Sequence, residues 1–447
     1  MTTVIDGCAV ACVDAAGTEY ADGHLVVDGD RLVTVGAGRY DGPVDERIDG
    51  SGCLATPGLV NTHHHLYQWA TRGLAQQSTL FEWLVELYPV WSGIDADLVR
   101  VTTAAGLGWL ALSGCTTSTD HHYVYPRGGG DLFAAQVDAA REVGLRFHPC
   151  RGSMDLGRSD GGLPPDNLVE SLDRALAATA EAIDKHHDPA FEAMVRVAVA
   201  PCSPFSVSAD LMREGAVLAR DRGVRLHTHL AETVEEDAYC RERFGCSPVE
   251  YAERLGWLGP DVWLAHGVHL DETSIARLAA TGTGVAHCPS SNGRLGAGVA
   301  PVRDLLDARV PVGLGVDGPA SQESGQLGGE LRQALLAARL RGGPAALTAR
   351  EVLAVSTMGG ARCLGRDTEL GSLEPGKLAD VALWRLDGLG HAGIADPVAA
   401  LVFGPPAPVA ALLVSGRPVV RDGRLGTVDE SALARDLARV SRELVRR

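Results

Sequence analysis

The sequence predicts an α/β protein: a (β/α)8 TIM barrel with a small β-sandwich domain formed by both chain ends. Three observations lead there. Helical stretches alternate with short apolar runs through the middle of the chain, often across a glycine, and that order implies parallel strands joined by crossover helices. Eight such runs can be counted, near 58–65, 115–121, 145–150, 195–201, 224–229, 262–266, 283–288 and 311–317. Polar residues fall where the runs end, at Asp120-His121-His122, Arg151, His229, His266, His287 and Asp317; barrel enzymes place their chemistry at strand C-terminal ends. A doubly wound open sheet is the structural alternative, but it does not by itself explain so many chemical strand ends.

The elements follow in order. Residues 1–56 read as a meander of short strands, with 24–27 and 31–35 flanking the hairpin turn Asp28-Gly29-Asp30. The far end answers it: 380–384 and 410–414 read as strands, and Ser415-Gly416 turns the chain into Pro418-Val419-Val420. This gives the β domain in two parts, 1–56 and 367–447 with a terminal helix, around a hydrolase barrel at 57–366. Within the barrel, residues 168–187 follow Pro164-Pro165-Asp166 and repeat apolar side chains at helical spacing, which predicts an amphipathic crossover helix. Gly128-Gly129-Gly130 lacks a following Lys-Ser or Lys-Thr, so it reads as a loop and not a phosphate cradle.

Bulk properties narrow the function. The chain has 447 residues, 45% hydrophobic and 22% charged, with a formal net charge of −17. That charge argues against nucleic-acid polymers and anionic membranes, which demand clustered Lys and Arg, and favours a small neutral or cationic substrate. The ten cysteines show no repeated short spacing, as expected of reduced thiols in a cytoplasmic protein. The N-terminus lacks the pattern of a secretory signal, and no apolar run is long enough to span a membrane.

The chemistry sits on three distant segments. Gly58-Leu59-Val60-Asn61-Thr62-His63-His64-His65 ends in a His-x-His pair; residues two apart in a strand share a face, so His63 and His65 both point into the barrel mouth and His64 points away. Val224-Arg225-Leu226-His227-Thr228-His229 ends in a third histidine, with Glu232 three residues on. Val312-Gly313-Leu314-Gly315-Val316-Asp317 ends in an aspartate ahead of Gly318. His63, His65, His229 and Asp317 suit one divalent metal, zinc or alternatively iron(II), with a position left for water. No lysine occurs in 195–200, where two-metal barrels often carry a bridging modified lysine, and this favours a single ion. Glu232 fits a proton shuttle over the metal, while Glu235, Glu236 and Asp237 read as a solvated face. His227 shares the inward parity of His229, but the spacing to Glu232 favours His229 as ligand. His266 fits a residue that orients the attacking water, and His122 and His287 fit structure or substrate contact better than metal binding.

These residues resemble the amidohydrolase superfamily over nearly the whole chain. Pro57–His65 looks like its first-strand signature, and Gly371-Ser372-Leu373-Glu374-Pro375-Gly376-Lys377-Leu378-Ala379-Asp380 like its return into the β domain. Within the mononuclear deaminase branch, the chain is similar to 8-oxoguanine deaminases and related triazine hydrolases at His65-Leu66-Tyr67-Gln68, Phe81-Glu82-Trp83-Leu84, Arg151-Gly152-Ser153-Met154 and His287-Cys288-Pro289 with Ser291-Asn292. The resemblance implies that Gln68 and Arg151 contact the substrate base; His122 is the third substrate-binding candidate. It departs from the family pattern at Asp317-Gly318-Pro319-Ala320-Ser321-Gln322-Glu323 and at Gly293-Arg294.

The expected function is metal-dependent hydrolytic deamination of an amino-substituted purine-like ring, 8-oxoguanine to urate plus ammonia, with Glu232, His266 and Asp317 catalytic. A pterin, an s-triazine, guanine or isoguanine are alternative rings, and a non-catalytic binding protein on the same fold is the alternative of another class. Homo-oligomer formation stays open, and Tyr88-Pro89-Val90-Trp91 is either a lid or an interface patch.

Overall fold

A computed structural model describes residues 1–446. Its centre is a closed parallel barrel of β1 (Leu59–Asn61), β2 (Cys115–His122), β3 (Arg146–Ser153), β4 (Ala198–Pro201), β5 (Arg225–Leu230), β6 (Val262–His266), β7 (Gly284–His287) and β8 (Val312–Leu314). All eight expected runs are strands. The barrel closes through a narrow seam, in which β8 meets β1 at the single pair Leu314–Asn61. Asn61 reinforces it: its side chain accepts from Val316 N (3.0 Å) and donates to Ser118 Oγ (3.0 Å), tying β8, β1 and β2 together. Because β1 stops at Asn61, His63 and His65 lie just beyond the strand, on backbone that His64 holds by a parallel bridge to Asp317.

The crossover helices begin where a side chain satisfies free backbone N–H groups. Asp131 caps α3 (Leu132–Val143). The helix expected from Leu168 starts later, as α4 (Leu172–His186), capped by Ser171; residues before it are loop, and Glu170 faces Arg151. Upstream, α1 (Leu80–Trp91) and α2 (Ala96–Leu112) follow β1. In α1 a capping box of Thr79 and Glu82 fixes the first turn.

The two chain ends build one nine-stranded sheet, separate from the barrel. They join where Val381–Arg385 pairs antiparallel with Cys53–Pro57. The expected sandwich is thus one hydrogen-bonded sheet curled over a core that includes Ile5, Leu25, Val27, Val381 and Leu413. The curl brings its hairpins together: a Cβ on Gly416 would meet Gly29 O at 2.2 Å, so only glycine fits that turn. A buried ion pair, Arg146–Asp380 at 3.0 Å, links β3 to this sheet. The terminal helix Glu430–Arg446 lies on the barrel, where Ser441 Oγ donates to Ala70 O (2.7 Å) and Arg439 pairs with Asp97 (3.0 Å). Among the described residues, no helix is long and apolar enough to cross a membrane.

Candidate metal centre and active site

At the C-terminal mouth of the barrel, four side chains from β1, β5 and β8 converge. His63 Nε2 and His65 Nε2 each lie 3.3 Å from Asp317 Oδ1, and His65 Nε2 lies 3.1 Å from His229 Nε2. Tetrahedral zinc with bonds of about 2.0–2.1 Å separates its ligands by about 3.3 Å, so His63, His65 and Asp317 are spaced to share one ion, with His229 next to His65. His63 Nε2 is buried without a hydrogen-bond partner among the described residues, as expected of a nitrogen reserved for a metal.

The partners of the other ring nitrogens set the tautomers. His65 Nδ1 donates to His121 O (2.6 Å) and His229 Nδ1 to Cys202 O (2.7 Å), which leaves both Nε2 lone pairs facing inward. His63 needs a longer relay. His227 Nδ1 donates to Trp263 O (2.8 Å), so His227 Nε2 accepts from His63 Nδ1 (2.8 Å) and His63 Nε2 keeps its lone pair. The inward-facing His227 is therefore the support of a ligand. Burial, the largest influence on each, holds His63, His65 and His229 below the usual imidazole range. Neutral imidazoles are what a metal requires.

Asp317 supplies the negative charge. Burial alone would raise its pKa, but the neighbouring rings of His63, His266 and His65 hold it well below the usual carboxylate range. Ser291 Oγ donates to Oδ2 (2.6 Å) and Gly318 N to Oδ1 (2.7 Å), which fixes the plane of the carboxylate. The left-handed turn at this point falls on Asp317, whose φ is +63°. Gly318 is needed for room, because a Cβ there would strike Gln68 Oε1 at 1.8 Å. Ala231 (φ +56°) and His266 (φ +76°) are also left-handed. Such backbone costs on the order of 1–2 kcal/mol per non-glycine residue, and three of the eight such residues among those described lie at this site.

Glu232 and His266 lie side by side next to this set. Glu232 Oε2 lies 3.5 Å from His266 Nε2, and Asp317 Oδ2 lies 3.9 Å from the same nitrogen. Burial pushes the Glu232 carboxyl up to about 7 against the pull of His266. Burial opposes charge on His266, but Glu232 and Asp317 override it and raise its pKa, aided by the bond from Nδ1 to Asn292 Oδ1 (3.0 Å). Glu236, expected in solvent, is 1% exposed: its carboxylate accepts from Ala231 N (2.8 Å) and Glu232 N (2.9 Å) and so clamps the loop that presents Glu232. Glu235 is exposed and Asp237 half-buried, as the solvated reading requires.

Above these groups lies a narrow pocket at the barrel mouth. Leu84, Trp83, Tyr88, Tyr123 and Phe205 form its walls, and Gln68, Glu232, His266 and Asp317 its polar groups. Flat apolar walls with few converging polar atoms suit a planar heterocycle. Gln68 lines this cavity, with Oε1 buried and unpartnered among the described residues. Tyr88 is part of the wall and Trp91 is buried against Tyr67 and Trp83, while Pro89 between them is exposed.

Two substrate-side residues lie elsewhere. The Arg151 guanidinium is bidentate to Glu170 (2.9 and 3.0 Å) and sits 3.7 Å over the Tyr125 ring, in a separate side cavity. His122 Nε2 donates to Val124 O (2.9 Å) and its ring packs on Tyr67 and Tyr125, outside the pocket lining. The pleat is the cause: His122 and Arg151 point outward from β2 and β3, while the neighbouring His121 points inward and stacks on His229 (centroids 4.7 Å). His287 is buried with both ring nitrogens unpartnered among the described residues, and burial lowers its pKa to about 4.

Comparison with known proteins agrees with this geometry. The sequence profile described as the Amidohydrolase family matches residues 54–419. The chain is 44% identical to the 8-oxoguanine deaminase of Pseudomonas aeruginosa over 427 residues, 95% of each chain. It is 40% identical to the hydroxydechloroatrazine ethylaminohydrolase of a Pseudomonas species, covering 93% of this chain and 87% of that protein. The crystal structure of atrazine chlorohydrolase from Arthrobacter aurescens complexed with zinc superposes with a TM-score of 0.94 at 35% identity, over 98% of this chain and 100% of that one.

Proposed function

We propose that this chain, which belongs to the amidohydrolase family, is a metal-dependent aminohydrolase that converts 8-oxoguanine and water to urate and ammonia. The observation that carries the reading is the convergence of three neutral imidazoles and one ionised carboxylate beside a carboxyl poised near 7. The similarity to the 8-oxoguanine deaminase over 95% of both chains supports the choice of ring.

His63, His65, His229 and Asp317 would hold the ion, with zinc the first candidate because the zinc-bound relative shares this fold. When bound, such an ion lowers the pKa of water toward 7 and so supplies a nucleophile at neutral pH. Glu232 takes a proton from the attacking water and delivers it to the ring nitrogen next to the amino-bearing carbon, which makes that carbon electrophilic. His266, held by Asn292, orients the water. Asp317, pinned by Ser291, passes the remaining proton to the departing amine, so that ammonia leaves and the carbonyl forms. Gln68 faces the ring from the pocket wall.

The same groups serve other amino-substituted rings, and the isoxanthopterin deaminase relative, 39% identical over 94% of this chain, makes a pterin the second reading. A non-catalytic binding protein is disfavoured because no member of the site is missing. The ten cysteines are buried and free of disulfides, which supports a cytoplasmic setting. An ammonia-release screen with 8-oxoguanine, guanine, isoxanthopterin and amino-triazines, run beside metal quantitation, tests the reading. Highest kcat/KM for 8-oxoguanine is expected, and release from a pterin or triazine alone would overturn the choice of ring.

A further inference from the structure

The opposite end of the barrel is unexpectedly cationic. Period-two alternation puts Arg225 on the inward face of β5, in the layer beneath His227 and His229. His148 of β3 lies on the inward face with Cys150, and Arg196, just before β4, with Ala198. An apolar layer that includes Cys150, Ala198, Trp263 and Leu364 stands between these residues and the metal centre. They line a cavity with ≈ 580 Å³ of empty space, together with His187, Gly223 and Gly365.

No carboxylate is among the residues lining this cavity. Arg225 binds only backbone carbonyls, Cys363 O (3.1 Å) and Pro260 O (2.7 Å). Arg196 shares Glu369 with Arg366 (2.7 and 2.5 Å), so one acid serves two guanidinium groups. Arg196 Nε is a buried donor without a partner among the described residues, and Nε2 of the 2%-exposed His148 is a buried ring nitrogen likewise unpartnered. His187 Nδ1 accepts from Val197 N (3.1 Å), which leaves Nε2–H as a donor. The electropositive field is strong enough that His148, driven down first by burial, is lowered further by Arg366, Arg196, Arg225 and Arg146. Arg196 also donates to Ala190 O (2.7 Å) and Pro189 O (3.3 Å), but its unpaired Nε lies in a partly enclosed space where such a donor costs on the order of 1–3 kcal/mol.

We propose that this cavity binds a tetrahedral oxyanion, of the class of inorganic phosphate or sulfate, between Arg225, Arg196, His187 and His148. The ligand would cross-link β3, β4 and β5 at the closed end of the barrel and act on stability, not on chemistry. Arginine and neutral histidine donors match the several acceptor oxygens of such an anion.

Thermal unfolding of the metal-loaded protein, with inorganic phosphate or sulfate titrated at constant ionic strength against sodium chloride, tests this. A saturable rise in Tm of about 3 °C at a hundredfold excess over Kd is expected, with none in chloride. Arg225→Gln should abolish the rise. If that variant does not fold, wild-type crystals soaked in phosphate decide, by density for a tetrahedral anion between Arg225 and Arg196. Equal effects of chloride and phosphate, a phosphate effect that survives in Arg225→Gln, or solvent alone in the soaked crystals would each overturn the site.

Discussion

Replacing Glu232 by glutamine removes a titratable proton while keeping size and shape. The loop does not depend on the replaced carboxylate, because Glu236 holds the backbone N–H groups of residues 231 and 232. What is lost is the proton carrier 3.5 Å from His266. Positioned acid–base groups contribute about 10²–10⁴-fold, equivalent to about 3–5 kcal/mol of barrier, and kcat for ammonia release should fall by that factor. Metal content should stay at one ion per chain, since Glu232 is outside the ligand set. The pH profile gives a second readout. Burial pushes the Glu232 carboxyl up to about 7, and a bound cation draws it below that value. The wild-type rate should therefore decline with acidification as the base is protonated, and Glu232→Gln should lack that limb. A kcat within about threefold of wild type, short of the smallest acid–base contribution, would refute the assignment.

Three other outcomes follow from named contacts. His227→Phe deprives His63 Nδ1–H of its acceptor and should weaken metal affinity about 10–100-fold, measured by chelator competition; unchanged affinity would break the relay. Arg151→Met should leave KM unchanged while lowering Tm, because Arg151 pairs with Glu170 outside the pocket; breaking a buried pair costs about 3–5 kcal/mol, and a large rise in KM would return Arg151 to the substrate. The metal-free protein should lose stability as pH falls below about 6.5. His64 and His122 are held near 3 and His287 near 4 by burial, and His121, His148 and His227 lie well below their usual range. Each therefore gains a proton on unfolding, which favours the unfolded chain in acid. Asp120, Glu232 and Glu330, raised to about 7, act in the opposite sense but are fewer. Denaturant titrations at several pH values check the sign.

The barrel was legible because its strands are apolar runs bounded by glycine and its chemistry lies at their ends. The clustering of His63, His65, His229 and Asp317 was legible for the same reason: each stands at or just past a strand end. Arg151 and His122 were misplaced for want of the pleat. The period-two rule that pairs His63 with His65 also separates His121 from His122, but applying it needs the phase of each strand, which neighbouring apolar residues do not reveal when a strand is buried on both faces. Glu236 was hidden inside an acidic run, and only the turn at Ala231 shows that its side chain folds back on the loop. The supporting roles of His227, Ser291 and Asn292 depend on contacts across strands far apart in sequence. Ser291 and Asn292 were visible only within the Cys288–Asn292 segment. The late start of α4 reflects competition: Glu170 faces Arg151, and Ser171 is left to cap the helix.

Anomalous diffraction at the zinc edge, on crystals of the metal-loaded protein, addresses the centre of the account most directly. One peak is expected, with His63 Nε2, His65 Nε2, His229 Nε2 and an Asp317 carboxylate oxygen each about 2.0–2.2 Å away. Two peaks, or a single peak that any of these four atoms fails to reach, would contradict it.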